Sequence, residues 1–383
     1  LFFYGCQENQ PTVIAEVAGK VAHLPNSLSY ANTPSGLSMK RTAKIVLCLL
    51  VLAYFGCFSA MAQSLISLTN YTYTPTQLQV GTLQATLPVK RYTLQGPNAK
   101  LFTLDNANRL SIKADAANSG EPWYDIIVDG KQTKGTVRDT LRIVKDTFIR
   151  NQVIAHRGAW KQAGIPENSL ASLQNAIKLG CMGSEFDVHM SADSVLVVNH
   201  DPVIQGLTIE QTSAAELAKV KLSNGESLPT LKAYLQEGMQ QNRTRLILEI
   251  KTSKLGKERS MALTERVVQL VHHMRAQAWV DYIAFDYDVC KKVKALSPEA
   301  RVSYLTGDKS PAQLLADHLD GFDYHQSIIR KNEAWIQEAR QLKLTTNVWT
   351  VNDKADLSWL LNQHVDFITT NEPELLLTLL PKQ

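Results

Sequence analysis

Gly183-Ser184-Glu185-Phe186-Asp187-Val188 is the stretch on which the fold turns. As a strand it puts Glu185 and Asp187 on one face and Phe186 and Val188 on the other, because successive side chains point to opposite sides of a sheet. Phe186 and Val188 need an apolar layer to cover them, and helices packed outside a sheet provide one. The two carboxylates then face inward. Taken alone, Glu-x-Asp reads as a solvated edge pair; with neighbours that require cover it reads as the inner wall of a closed sheet. Cα atoms two residues apart on a strand are roughly 6.6 Å from each other, close enough for both carboxylates to reach one cation.

After Asp146 short apolar runs alternate with amphipathic helices, the mark of a parallel α/β domain. Strands are expected at Val153–His156, Gly183–Val188, Val195–Asn199, Arg245–Ile250, Tyr282–Phe285, Val302–Leu305, Gly321–Tyr324, Thr346–Thr350 and Val365–Thr369. Helices are expected at Ser169–Leu179, with Leu170, Leu173, Ala176 and Ile177 on one face, and at Ala262–Ala276, with Leu263, Val267, Leu270 and Val271. Nine strands compete for the eight places of a (β/α)8 TIM barrel, whose usual size residues 148–383 match. Only six residues separate Val188 from Val195, too few for a crossover unit of at least about ten residues. Either the two strands form a hairpin or an extended loop descends the barrel; a rim shared by Asp187 and His200 is expected to need the descending loop.

Residues 63–147 read differently. Short alternating strands at Leu78–Val80, Leu101–Leu104, Arg109–Ile112, Trp123–Val128 and Thr140–Val144 are separated by turn chemistry at Asp105-Asn106, Asn108, Asn118-Ser119-Gly120 and Asp129-Gly130. That predicts a small all-β sandwich ahead of the barrel. From Met39 to Ala62 the chain reads as an export signal: Lys40, Arg41 and Lys44, an apolar stretch from Ile45 to Ala60, and the small-x-small site Ala60-Met61-Ala62. Its apolar stretch is shorter than the roughly 18 residues of a convincing membrane span, so cleavage before Gln63 and an exported, periplasmic or secreted protein with no stable membrane span are expected. Lipid attachment at Cys57 is the lesser option, given the bulky Tyr54-Phe55 before it. Residues 1–38 show no apolar period and read as upstream sequence outside the mature protein.

Composition narrows the functions. A 383-residue chain with 44% hydrophobic and 20% charged residues is of ordinary globular type, and its net charge of +4 is spread without a basic block, which gives nucleic acid no support as a partner. Cys181 and Cys290, the two cysteines after the signal, are no disulfide framework and read as buried small apolar residues.

The chemistry-bearing residues come in one order. His156 ends Val153-Ile154-Ala155, His200 ends Leu196-Val197-Val198-Asn199, and Glu249 ends Leu246-Ile247-Leu248. A single histidine at a strand end is more often structural; two of them beside three carboxylates point to proton transfer at a metal site. Glu185, Asp187 and Glu249 make an all-oxygen set that suits one divalent cation, Mg2+ or Ca2+, while no Cys or paired-His pattern favours zinc. Two carboxylates buried without a cation would repel each other and lose hydration at several kcal/mol each. Phe285 and Trp349 read equally as a pocket mouth and as barrel packing. His189, His272, His273, His318, His325 and His364 read as surface or packing residues, with His325 able to border the pocket.

His156-Arg157-Gly158, Pro166-Glu167-Asn168-Ser169, Glu185-Phe186-Asp187-Val188, His200-Asp201, Leu228-Pro229-Thr230-Leu231, Glu249-Ile250-Lys251 and Val348-Trp349-Thr350-Val351-Asn352 resemble, in order, the motifs of the glycerophosphodiester phosphodiesterase family. The resemblance spans residues 153–373. It implies a barrel that hydrolyses small glycerophosphodiesters to sn-glycerol 3-phosphate and an alcohol, with His156 and His200 as acid and base and with Glu185, Asp187 and Glu249 holding the metal. It further implies that Arg157 and Lys251 contact phosphate and that Glu167 orients Arg157 or approaches the metal. Ser169 and Ala284 depart from the residues common in the family, at positions that touch none of these. The sandwich residues 101–105, 109–112, 124–128 and 139–144 resemble a cadherin-like or Ig-like module, from which no function is carried over. The competing expectations are a phospholipase-type enzyme acting on intact lipid or phosphoinositide, and a non-catalytic envelope binding protein; the second is at odds with a complete set of histidines and carboxylates.

Overall fold

The computed structural model describes residues 65–381, so the upstream segment, the export signal at 39–62 and Cys57 lie outside the described residues. Strands come first: β1 (Ile66–Leu68), β2 (Thr72–Tyr73), β3 (Gln79–Ala85), β4 (Arg91–Gln95), β5 (Phe102–Leu104), β6 (Arg109–Ile112), β7 (Trp123–Lys131) and β8 (Thr136–Lys145). They form two four-stranded sheets, β1-β3-β6-β5 and β2-β8-β7-β4. Alternation drives this: along β7 Tyr124, Ile126 and Val128 are buried while Trp123, Asp125 and Ile127 are only partly covered. The turn expected at Asp129-Gly130 is instead part of β7, and the hairpin reverses at residues 132–135. Gly130 is closely packed within the strand: a Cβ there would lie 3.0 Å from both Val137 and Val89. Strands β1, β2 and β4 escaped the sequence reading, the first two being only three and two residues long.

The remaining strands are β9 (Val153–Ala155), β10 (Gly183–Met190), β11 (Leu196–Val198), β12 (Val203–Ile204), β13 (Leu207–Thr208), β14 (Arg245–Ile250), β15 (Val280–Ala284), β16 (Val302–Tyr304), β17 (Gly321–His325), β18 (Thr345–Trp349) and β19 (Phe367–Thr370). Eight of them, β9, β10 and β14 to β19, run parallel in a ring that closes where β9 pairs with both β10 and β19. Phe186 and Val188 face outward and are fully buried; Phe186 stacks on Tyr234 of the helix Leu231–Gly238 at 4.2 Å between ring centres. Burying each such side chain contributes roughly 1.5–3 kcal/mol. The inward face at the same level is left to Glu185 and Asp187.

The ninth candidate settles as β11, and here the expectation of a descending loop is corrected. β10 overshoots the rim by three residues, turns at 191–194, and β11 returns antiparallel to it with Val188 opposite Val198 and Met190 opposite Leu196. Asn199 then donates its N–H to the Asp187 carbonyl at 3.0 Å. A hairpin standing above the rim therefore delivers His200 to the level of Asp187 without any segment passing down the barrel.

The two sheets pack against the opposite, N-terminal end of the barrel strands. Trp279, just before β15, meets Trp123 and Phe148 edge-on at 5.9 and 6.5 Å, and His272 contacts Asp139 at 2.7 Å. Among the described residues no helix is long and apolar enough to cross a membrane.

Candidate active site

Each residue of the site is placed by a strand end. Asp187 and Glu249 are register partners on the neighbouring strands β10 and β14, and Glu185 lies two residues below Asp187 on the same inward face. The three carboxylates are buried, and one oxygen from each lies within 4.8 Å of the others. Lys251, two residues beyond Glu249, holds its Nζ 2.9 Å from Asp187 Oδ1 and 2.8 Å from Glu249 Oε1.

The charge balance is incomplete. Burial and the neighbouring Asp187 and Glu249 charges push the Glu185 carboxyl well above its ordinary range, and burial together with Asp187 raises Glu249 to about 7. For Asp187 burial acts the same way, but the Lys251 and His200 charges and the hydrogen bonds from Lys251 and Asn168 together outweigh it and hold the group below its ordinary value. Glu185 Oε2 accepts the Arg157 N–H at 2.8 Å, whereas Oε1 is buried with no partner. One ammonium among three carboxylates and an orphaned oxygen at their centre are what a site for a hard divalent cation requires, since such ions take oxygen ligands and carboxylates must be ionised to serve. The residues fit the group.

The strand β9 ends at Ala155, and two residues later the chain takes left-handed backbone at Arg157 and Gly158, with φ of 57° and 78°. A Cβ on Gly158 would lie 2.6 Å from the Ser172 carbonyl carbon, so only glycine fits the turn. That turn aims the Arg157 N–H at Glu185 and folds the guanidinium back, where Nη1 binds both oxygens of Glu167 at 2.9 and 3.0 Å. Glu167 thus pairs with Arg157, and it is not among the carboxylates whose oxygens converge.

His156 Nδ1 contacts Asn371 Oδ1 at 2.7 Å; an amide oxygen only accepts, so Nδ1 carries the proton and Nε2 is left with its lone pair, 3.9 Å from Glu185 Oε2. Burial, reinforced by the Arg157 charge, lowers the His156 pKa to about 4. His200 Nδ1 lies 2.8 Å from Asp201 Oδ1. Both histidines, Arg157, Glu185, Glu249, Lys251, Phe285 and Trp349 line one pocket of about 220 Å³. At its mouth Phe285 is 40% exposed and meets Trp349 edge-on at 5.5 Å, so both expectations for this pair hold in part. His325 packs on Trp349 at 5.1 Å and caps the helix Gln326–Lys331.

The sequence model of the glycerophosphoryl diester phosphodiesterase family matches residues 156–375. The chain belongs to that family. It is thereby a phosphoric diester hydrolase, and its expected barrel class stands. The chain is 25% identical to the glycerophosphodiester phosphodiesterase of Caldanaerobacter subterraneus subsp. tengcongensis over 249 residues, which cover 61% of this chain and 99% of that protein. A glycerophosphodiester phosphodiesterase structure from Parabacteroides distasonis superposes with a TM-score of 0.58 at 42% identity, covering 60% of this chain and 97% of that one. A phosphodiesterase of Oleispira antarctica, solved with the product sn-glycerol-3-phosphate, gives 0.51 at 25% identity over 60% and 96%.

Several members of this phosphodiesterase site were missed in the sequence. Asn168 brackets Asp187, donating Nδ2 to Oδ2 at 2.8 Å and accepting the Asp187 N–H at 3.1 Å. His189, read as packing, is buried and donates Nε2 to the His200 carbonyl at 3.1 Å. Asn371 stands one residue past β19, and Asp323 lies inside the pocket on β17. Asn371 had a signal, a polar residue directly after a strand of the barrel; Asp323 within Gly321-Phe322-Asp323-Tyr324 had the same in-out alternation as Glu185.

Proposed function

We propose that this chain hydrolyses glycerophosphodiesters to sn-glycerol 3-phosphate and an alcohol, with one divalent cation held by Glu185, Asp187 and Glu249 and with proton transfer by His156 and His200. The observation that carries it is the convergence of three buried carboxylates, two of which line one pocket with both imidazoles. When bound, the cation supplies positive charge to a phosphoryl oxygen.

The chain's own groups do the rest. The lone pair of His156 Nε2 stays free because burial keeps the ring neutral and Asn371 holds the proton on Nδ1. It takes the proton of the attacking hydroxyl. His200, its Nδ1 held 2.8 Å from Asp201 Oδ1, gives its Nε2 proton to the departing alkoxide oxygen. Arg157, aligned by Glu167, faces the phosphate charge. Whether the attacking oxygen is the adjacent glycerol hydroxyl or water, one proton is accepted and one is donated; opening of a cyclic phosphate would reverse the two roles. The basic start, apolar stretch and Ala60-Met61-Ala62 site support export of the mature chain.

The test is an assay of purified protein on glycerophosphocholine, glycerophosphoethanolamine and glycerophosphoinositol with Mg2+ or Ca2+ in turn. Release of glycerol phosphate that stops in chelator and in Glu185→Ala supports the reading. Release from none of the three, or full activity in excess chelator, overturns it.

A further inference from the structure

Two carboxylate oxygens that are buried in residues of this pocket have no hydrogen-bond partner: Glu185 Oε1 and Asp323 Oδ1. The cation site accounts for the first. It does not account for the second, because β17 stands four places from β10 around the ring and Asp323 is not among the carboxylates whose oxygens converge. Asp323 is 1% exposed, its neighbours Phe322 and Tyr324 face the outer layer, and it points to the interior. Around it stand one shared amide, the Glu249 charge and apolar side chains, none of which satisfies the free oxygen. The Asn347 amide reaches the carboxyl but also donates to Thr369 Oγ1 at 3.0 Å, and the pocket neighbours Ile283 and Leu305 are aliphatic. Leaving a buried oxygen unsatisfied forfeits its hydration with nothing in return. Such a cost is retained at a site that a ligand completes.

We propose that Asp323 binds the terminal hydroxyl of the substrate's glycerol moiety and so determines specificity for the glycerol end. The chemistry selects a hydroxyl: it can meet a carboxyl in either protonation state, and an alkyl group cannot. Asp323 is buried within the pocket while Phe285 is exposed at its mouth, the side from which the leaving alcohol would depart. Trp349 ties the two together, donating Nε1 to the Asp323 carbonyl at 2.8 Å while its ring meets Phe285. This inference rests on the hydrolysis proposed above.

The experiment compares glycerophosphocholine with its analogue built on propane-1,2-diol, which keeps the hydroxyl next to the ester and lacks the terminal one. Wild type is expected to prefer glycerophosphocholine in kcat/KM by about 10- to 100-fold, the range of a hydrogen bond to a charged group. Asp323→Leu should lose most of that preference, its kcat/KM falling more on glycerophosphocholine than on the analogue, and keep or raise Tm; Asp323→Asn should recover part of the preference. Equal losses on both substrates, or an undiminished preference in Asp323→Leu, would overturn the assignment while leaving hydrolysis intact. If wild type releases no product from any diester, the hydrolysis reading falls instead. Calorimetric binding of sn-glycerol 3-phosphate and of propane-1,2-diol 1-phosphate to wild type and Asp323→Leu then decides: a preference for the glycerol compound confined to wild type upholds the subsite, and its absence ends it.

Discussion

Asp187 and Glu249 stand side by side in register on adjacent strands, and the Lys251 ammonium bridges them at 2.9 and 2.8 Å. The bridge neutralises part of a trio that would otherwise be three like charges in a buried space. Removing one partner of a buried ion pair typically costs 3–5 kcal/mol. Lys251→Met should therefore lower Tm in chelator, and a divalent cation should restore more of it than in wild type. Equal Tm values with and without cation would remove Lys251 from this role.

Cation binding should release protons. Glu249 is held at about 7, so near neutral pH it is partly protonated and a bound ion displaces that proton; the upward shift of Glu185 acts in the same direction. Affinity then falls as pH drops from 8 to 6. Titration calorimetry in two buffers of different ionisation heat measures this directly; a heat independent of buffer would refute it.

His156→Ala and His200→Ala should each lower kcat by about 10²- to 10⁴-fold with the fold retained. Circular dichroism checks the fold. Near-normal turnover in either variant takes that residue out of proton transfer.

The His156 pKa of about 4 sets the acidic limb. As a base it works unprotonated, so kcat/KM at saturating cation should fall with a midpoint near pH 4 and not near 6.5. The sign for stability follows from the same shift: the unfolded chain binds this proton near pH 6.5, the folded one only near 4, so the group's contribution is lost as pH falls through that window. Asn371→Leu removes the partner of Nδ1 and should lower kcat while leaving metal affinity within about threefold.

Gly158→Ala asks for left-handed backbone at φ 78° and places a methyl 2.6 Å from the Ser172 carbonyl carbon. A loss of more than about 1 kcal/mol is expected, measured by urea unfolding. The same variant should misdirect the Arg157 N–H from Glu185, so activity falls further than stability does.

The fold was largely legible because its signals are local. Alternation in Gly183–Val188 told which side chains face helices, and the strand-end positions of His156, His200 and Glu249 put them at one rim. Arg157, Lys251, Phe285 and Trp349 line the pocket with the histidines, Glu167 pairs with Arg157 beside it, and Lys251 meets carboxylates. What misled was geometry between segments: the six residues after Val188 left a hairpin or a descent open, with only the descent expected to bring His200 to the rim, and a hairpin does it, while Asp129-Gly130 looked like a turn and is strand.

By itself the sequence determined the barrel class, the family and the inward pair of carboxylates, since side-chain alternation and ordered motifs are properties of short stretches. Tertiary structure alone decided which strands close the ring, that Asn371 holds His156 from 215 residues away, that Asn168 brackets Asp187, and that Asp323 is left without a partner. These contacts follow from strand register and ring closure, such as Thr370 lying beside Ala155, and register is set by packing summed over the whole domain.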